Sequence, residues 1–370
     1  MPKTKDPLKQ ALTWDWGTAY EFLLSIDTVF RPKAHGVPAP WAAGVRKRLS
    51  PQGQVDLKAF FSPSYGVLAY APLHLVMELD PPKDVAKLLN YVEAIPEEDF
   101  CRRMWMPVVE ENEQSKIMDK ALAGMKLASA EVEELRKALG QARLVGGPSL
   151  AEVRTLLADM ANPAATKKRW LAVMREYHTA FFADEEKRLA PVLQWTLEEA
   201  QELSRTMKVT DLIEKISNGF TISEESDLKK LIMVPSLWIA PFVVYLQLAD
   251  DQMLLAWGAN APGYRLVPGE LVPHEPLRVV RALGDPTRLR LMRLLAQEPR
   301  TPQALAYELK LSLPTVSHHM AELRGAGLVR FEASIGKRGR ENKYTVRWAS
   351  AERAFEELRQ FVAGQREQET

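Results

Sequence analysis

Cysteine is almost missing from this chain. The one thiol, Cys101, excludes an intramolecular disulfide and any metal centre built from clustered thiolates. Such cysteine usage fits a reducing, cytoplasmic setting. Cys101 precedes Arg102 and Arg103, which would favour a thiolate at an exposed site, yet a lone cysteine is more often a buried one. Histidine is scarce too. His35, His74, His178 and His274 are scattered and read as structural or surface residues, and only His318 and His319 are neighbours. Adjacent helical positions point about 100° apart, so that pair does not converge on one ion, and no metal site is expected. Net charge is nearly nil: 49 Lys and Arg against 48 Asp and Glu give +1, which by itself implies no polyanionic partner. The opening MPKTKDPLKQ has no apolar stretch behind its charges, so no signal peptide is expected. No Ser/His/Asp, Cys/His or paired-carboxylate arrangement stands out. GKRGR lacks the spacing of a phosphate-binding loop. The expectation is a non-enzymatic protein with no cofactor.

One long uncharged run is present. Residues 231–249, LIMVPSLWIAPFVVYLQLA, approach the length of a membrane span. Pro235, Ser236, Pro241 and Gln247 interrupt it. Its Val, Ile, Trp and Tyr content predicts two short buried strands around a Pro-bounded turn, with no membrane partner.

The 370 residues allow two or three domains, and 46% hydrophobic with 26% charged residues is ordinary globular composition. Charge is unevenly spread. Residues 275–348 hold 14 Lys and Arg against 7 Asp and Glu, a net of +7, whereas residues 1–274 carry −4. A basic module behind an acidic body is the electrostatic footprint of a phosphate-bearing partner.

The first hundred residues predict short helices joined by turns. Residues 97–139 read as long, charged and helical, with a break at Gly146, Gly147 and Pro148. A second helical stretch covers about 149–216, broken at Asn162-Pro163 and at Pro191. The strand-like run follows, then MLLAWGA, then a segment rich in Pro and Gly that places a domain boundary near residue 272.

Beyond that boundary the local signals agree. Asp285-Pro286 and Thr301-Pro302 are helix starts, each an N-cap followed by Pro at the first helical position. Leu289, Met292, Leu294 and Leu295 predict the buried face of the first helix. Leu305, Ala306 and Leu309 predict that of the second. Ser312 caps a third helix, LPTVSHHMAELRGAG. An alternating strand, LVRFEASI, then a charged tip, GKRGREN, and a second strand, KYTVRW, complete a winged helix-turn-helix. Helical spacing puts Val316, Met320 and Leu323 on one core-facing stripe, with His319 near it. It puts His318 opposite, Pro314 on the exposed side, and Thr315 and Ser317 on the shoulders. A major groove admits such a face.

ALGDPTRLRLMRLL, LSLPTVSHHMAELRGAGLVR and the charged hairpin resemble the winged-helix repressors of the arsenical-resistance (ArsR) family, over about residues 276–348. The resemblance implies a homodimeric regulator of transcription bound to double-stranded DNA. Ser312 to His319 would open the recognition helix, and Lys337, Arg338, Arg340 and Lys343 would bring the wing onto DNA. Three departures stand out. Leu313 occupies a position where a polar residue is common, which leaves an apolar contact with a thymine methyl. Lys310 stands where glycine often makes the turn, which predicts local strain. The second helix, TPQALAYELK, lacks the metal-sensing thiols of the founding members.

WDWGTAYEFLLSIDTVF, PAPWAAGVRKRL and LIMVPSLWIAPFV resemble a helical domain of unknown function found ahead of such winged helices in larger regulators. That implies an effector, a small molecule or a protein, acting through it. The expected fold is mainly α (α+β): a large helical domain with a small β element at 1–272, then a winged helix with a C-terminal helix at 273–370. The expected function is a DNA-binding transcriptional regulator, a repressor, controlled through residues 1–272. The alternative is an architectural or stress-response DNA-binding protein whose large domain is a protein-interaction scaffold. The stripe Phe355, Leu358, Phe361 and Val362 fits either a dimer seam or a cap on its own domain.

Overall fold

The computed structural model describes residues 6–62, 69–105, 113–141, 147–223, 226–259, 274–333 and 342–363. Helices dominate, and two small sheets complete a mainly α, α+β architecture.

The centre of the first part is helix Thr18–Phe30, which is buried on nearly every side. A helix apolar all round belongs inside a protein rather than on its surface. Thr28 Oγ1 ties it to the Trp238 carbonyl at 2.7 Å, and Ser25 Oγ meets the Tyr177 hydroxyl at 2.9 Å. Around it lie helices that begin on hydroxyl caps. Ser50 and Ser149 accept from the backbone N–H three residues on, and Ser149 with Glu152 forms a full capping box. The charged stretch after residue 97 is three helices, Glu97–Trp105, Glu113–Leu122 and Ser129–Gln141, where the sequence predicts one long run. Asn162-Pro163 does start a new helix. Pro191 does not break one: it lies inside Ala183–Thr206. Leu189 and Leu193, fully buried on either side of it, anchor the helix strongly enough to tolerate the lost N–H.

The uncharged run is β structure. Strands β1 (Leu12–Trp14), β3 (Lys230–Ser236), β4 (Val243–Ala249) and β5 (Gln252–Gly258) form a sheet in the order β1-β3-β5-β4. β3 runs parallel to β1 and β5, and β4 is antiparallel to β5. The two strands of the run are therefore not partners, because β5 lies between them. β3 and β5 are buried almost throughout, as continuous apolar runs must be when both sheet faces are covered. Pro235 falls beyond the end of β1, where one edge of β3 has no strand partner and a missing N–H costs little. No helix among the described residues is long and apolar enough to cross a membrane.

The second sheet joins the two parts of the chain. Strands β6 (Val329–Ala333) and β7 (Lys343–Val346) form the antiparallel wing hairpin. β2 (Phe220–Ile222), from the large first part, pairs with β6 in parallel. The predicted boundary near residue 272 falls in 260–273, outside the described residues, and β2 shows that the sheet membership of the chain does not divide there.

Candidate nucleic-acid interface

Helices His274–Leu283, Pro286–Leu295, Pro302–Leu309 and Leu313–Gly325 precede the wing hairpin and Trp348–Val362 follows it; Leu313–Gly325 packs on β6 and Pro286–Leu295 on β7. Each central helix begins on the cap that its sequence announces. Asp285 accepts from the N–H groups of Thr287 and Arg288, Thr301 from Ala304, and Ser312 from Thr315. The left-handed turn before the third helix is made by Lys310, at φ +54°, where glycine would be unstrained. In the first of these helices Leu291 and Leu295 are the buried pair. Met292 and Leu294 are half-buried. Leu289, predicted to be buried, is 51% exposed.

Helix Leu313–Gly325 carries the expected core stripe: Val316, Met320 and Leu323 are fully buried. His318, Pro314, Thr315 and Ser312 are exposed, with Leu313 at 41%. His319 is half-buried, its Nδ1 3.9 Å from Asp285. Ser317 departs from the expected pattern. It is only 2% exposed, so its hydroxyl does not sit on the outward face. The reason is packing on several sides: two preceding helices, Pro302–Leu309 and β6 all touch this helix, and the buried arc widens beyond one stripe to include position 317. Ser312 and Thr315 also bond to each other, Oγ to Oγ1, at 2.7 Å. The outward groups are thus a capped hydroxyl pair, one imidazole, and the apolar surfaces of Leu313 and Pro314. Lys343 is exposed at the start of β7. Lys337, Arg338 and Arg340 lie outside the described residues.

Tyr307, 90% exposed on helix Pro302–Leu309, escaped the sequence reading. So did the contacts that tie this module to the first part. Phe242 lies beneath the C-terminal end of the recognition helix, with the Arg324 guanidinium 5.8 Å from its ring centre. A side chain at Gly325 would meet that ring at 3.3 Å. Arg278 donates to the His35 carbonyl at 2.7 Å. The partners in each contact are far apart in the chain, and no local pattern announces them.

Comparison with known proteins agrees with this geometry. A helix-turn-helix domain family matches residues 283–330. The HTH-type transcriptional regulator CmtR of Mycobacterium bovis (strain ATCC BAA-935 / AF2122/97) is 39% identical over 85 residues, covering 23% of this chain and 69% of that protein. The CmtR of Mycobacterium tuberculosis (strain CDC 1551 / Oshkosh) aligns equally. An uncharacterised HTH-type transcriptional regulator of Methanocaldococcus jannaschii, MJ1325, is 42% identical over 53 residues, covering 14% of this chain and 60% of that one. No solved structure matches. The protein is a DNA-binding transcriptional regulator with an ArsR-type helix-turn-helix domain. Residues 20–271, more than half of the chain, match a family of unknown function, DUF5937, and the chain belongs to that family.

Proposed function

We propose that the protein is a homodimeric repressor whose affinity for DNA is set by an effector bound to the DUF5937 part. The observation that carries this reading is the recognition helix. Its outward face stays open, while its C-terminal end rests on Phe242 of the large first part. Any change in that part is therefore felt by the helix that reads DNA. Leu313, Thr315 and His318 would approach base edges. Lys343 and the tip cations Lys337, Arg338 and Arg340 would hold phosphates. Helices His274–Leu283 and Trp348–Val362 pack together and leave Val280 43% and Phe355 51% exposed, an apolar surface suited to a second copy. Two recognition helices would then meet half-sites about one helical turn apart. The thiophilic-metal signal of the founding ArsR members has no thiol in the second helix here, so an organic or protein effector fits better.

Selection of duplexes from a random pool by the full chain tests the reading. An enriched, two-fold-repeated sequence is expected. Its affinity should fall with salt at a log–log slope near −0.9 per phosphate contact. In His318→Ala, discrimination against random DNA should drop by about 1–3 kcal/mol, whereas Arg338→Ala should weaken both duplexes alike. Enrichment without a repeat would remove the dimer from the proposal, and a His318→Ala variant of full specificity would remove the base-reading role.

A further inference from the structure

The wing is not a free hairpin. Its strand β6 is sandwiched between β7 and β2, and β2 belongs to the DUF5937 part. The Phe331 amide donates to the Gly219 carbonyl at 2.8 Å. The Phe220 ring lies between Phe331, at 5.9 Å, and Tyr245 of β4, at 5.4 Å, so the aromatic contact runs from the wing into the first sheet. One carboxylate closes the junction. Glu214, in helix Val209–Ile216, holds Arg330 Nη2 of the wing with Oε2 at 2.5 Å, and Arg347 Nε just past β7 with Oε1 at 3.3 Å. Arg347 is mostly buried. Its Nη1 also donates to Asn218 Oδ1 at 3.0 Å and to the Gly327 carbonyl at 3.1 Å, the latter where the recognition helix ends. Asn218 and Gly327 both take left-handed backbone, at φ +56° and +68°, and a side chain at Gly327 would collide with the Asn218 amide.

We propose that Glu214, with strand β2, is a clamp that sets the position of the wing and transmits the state of the DUF5937 part to DNA affinity. The proposal rests on the regulatory reading above and names the element that carries the signal. Helix Val209–Ile216 touches both helix Ala183–Thr206 and β2, so a displacement in the helical body reaches the wing through a short rigid lever. In the clamped arrangement Ser312, Thr315 and His318 are exposed, so this pose leaves the recognition helix open to DNA. Releasing the clamp loosens β6 and β7 and costs phosphate contacts made by the wing. Base reading is left alone.

Charge alone and clamping predict opposite signs, which makes the test sharp. Glu214→Gln removes a negative charge beside a basic module, and simple electrostatics would tighten DNA binding. Glu332→Gln, an exposed position on β6 two residues from Arg330, serves as the electrostatic control. The probes are a duplex enriched by the full chain and a random duplex, read by fluorescence anisotropy at fixed salt. Loss of the clamp should weaken both duplexes by the same factor, at least about fivefold, while Glu332→Gln leaves them unchanged or tighter. Amide exchange at Phe331 should speed up in Glu214→Gln only. Asn218→Gly keeps the left-handed backbone and deletes one bond to Arg347. It should move affinity the same way by a smaller factor, and it decides the matter if Glu214→Gln does not fold. A folded Glu214→Gln that matches the control on both duplexes overturns the clamp, even where selection by the full chain supports the regulatory reading. A full chain that enriches no duplex overturns the regulatory reading, and the random duplex still reads the clamp.

Discussion

Glu21 is a fully buried carboxyl that holds a turn rather than an ion pair. Its oxygens accept the N–H groups of Leu237 and Trp238 at 3.1–3.2 Å. Burial raises its pKa from 4.5 to about 7, and the hydrogen bonds from Ser236, Trp238 and Leu237 offset only part of that. Between those two values the unfolded chain is ionised and the folded chain keeps its proton. The contribution of Glu21 to folding stability is therefore greatest below pH 4.5 and declines as pH rises to about 7, by roughly 3 kcal/mol. Glu21→Gln should flatten that decline, measured as urea-unfolding free energy at pH 5 and pH 8. An unchanged difference between the two pH values would assign the decline elsewhere. Cys101 shows the same physics: burial pushes its thiol up to about 12, so it is no ready nucleophile. His35 is buried as well, between Asp27 Oδ2 at 2.7 Å and the Ala240 carbonyl at 3.2 Å, and its ring abuts Phe242. A scattered histidine thus proves to be a link in the support of the recognition helix.

At the scale of elements, strand β2 matters out of proportion to its three residues. It gives the wing a third strand, and Phe220 fills the space between β6 and β4 with 1% of its surface exposed. Phe220→Ala should cost about 3–5 kcal/mol, as deletion of a buried aromatic does. Because the sheet is shared, the loss should appear in the unfolding of the full chain as a whole. A single denaturant transition, followed by both tryptophan fluorescence and far-UV circular dichroism, is the expected result. Two separated transitions, with only one shifted by Phe220→Ala, would show that the winged helix folds without its borrowed strand. Trimming the chain to residues 273–370 removes β2 and leaves β6 with an open edge and Phe331 uncovered, a liability for any isolated fragment.

At the scale of the whole molecule, the sequence holds one cysteine and six histidines, few of the ligands that thiophilic metals take. Among the described residues no group of three or more His, Cys, Asp and Glu is gathered for an ion. Tight sites for Zn(II), Cd(II) or As(III) need several thiolates or imidazoles converging at bond length. Titrating each metal into the protein–duplex complex, with and without chelator, should leave the DNA bound. Release at micromolar metal, abolished by Cys101→Ser, would reveal a site across copies of the chain. Contacts that do span the two parts are Arg278 to His35, Arg324 to Phe242, and Glu214 to Arg330 and Arg347, and the proposed effector signal would travel through these.

The elements of the winged helix were legible because their determinants are local, although Leu289 and Ser317 sit on the opposite sides from those expected. Asp285, Thr301 and Ser312 cap the helices that follow them, Val316, Met320 and Leu323 repeat at helical spacing, and β6 alternates buried and exposed along its length. The uncharged run was legible as β structure for a similar reason, since it is rich in β-branched and aromatic residues and prolines interrupt it. What the chain order concealed was pairing at long range. Nothing in residues 220–222 announces a partner more than a hundred positions away, and nothing near Glu214 announces Arg347. Ser317 turned inward because four neighbouring elements close over its helix, a count that only the assembled molecule supplies. Local backbone preferences and side-chain periodicity determined the elements. Burial summed over distant contacts decided which strand borders the wing, and so which part of the protein holds it in place.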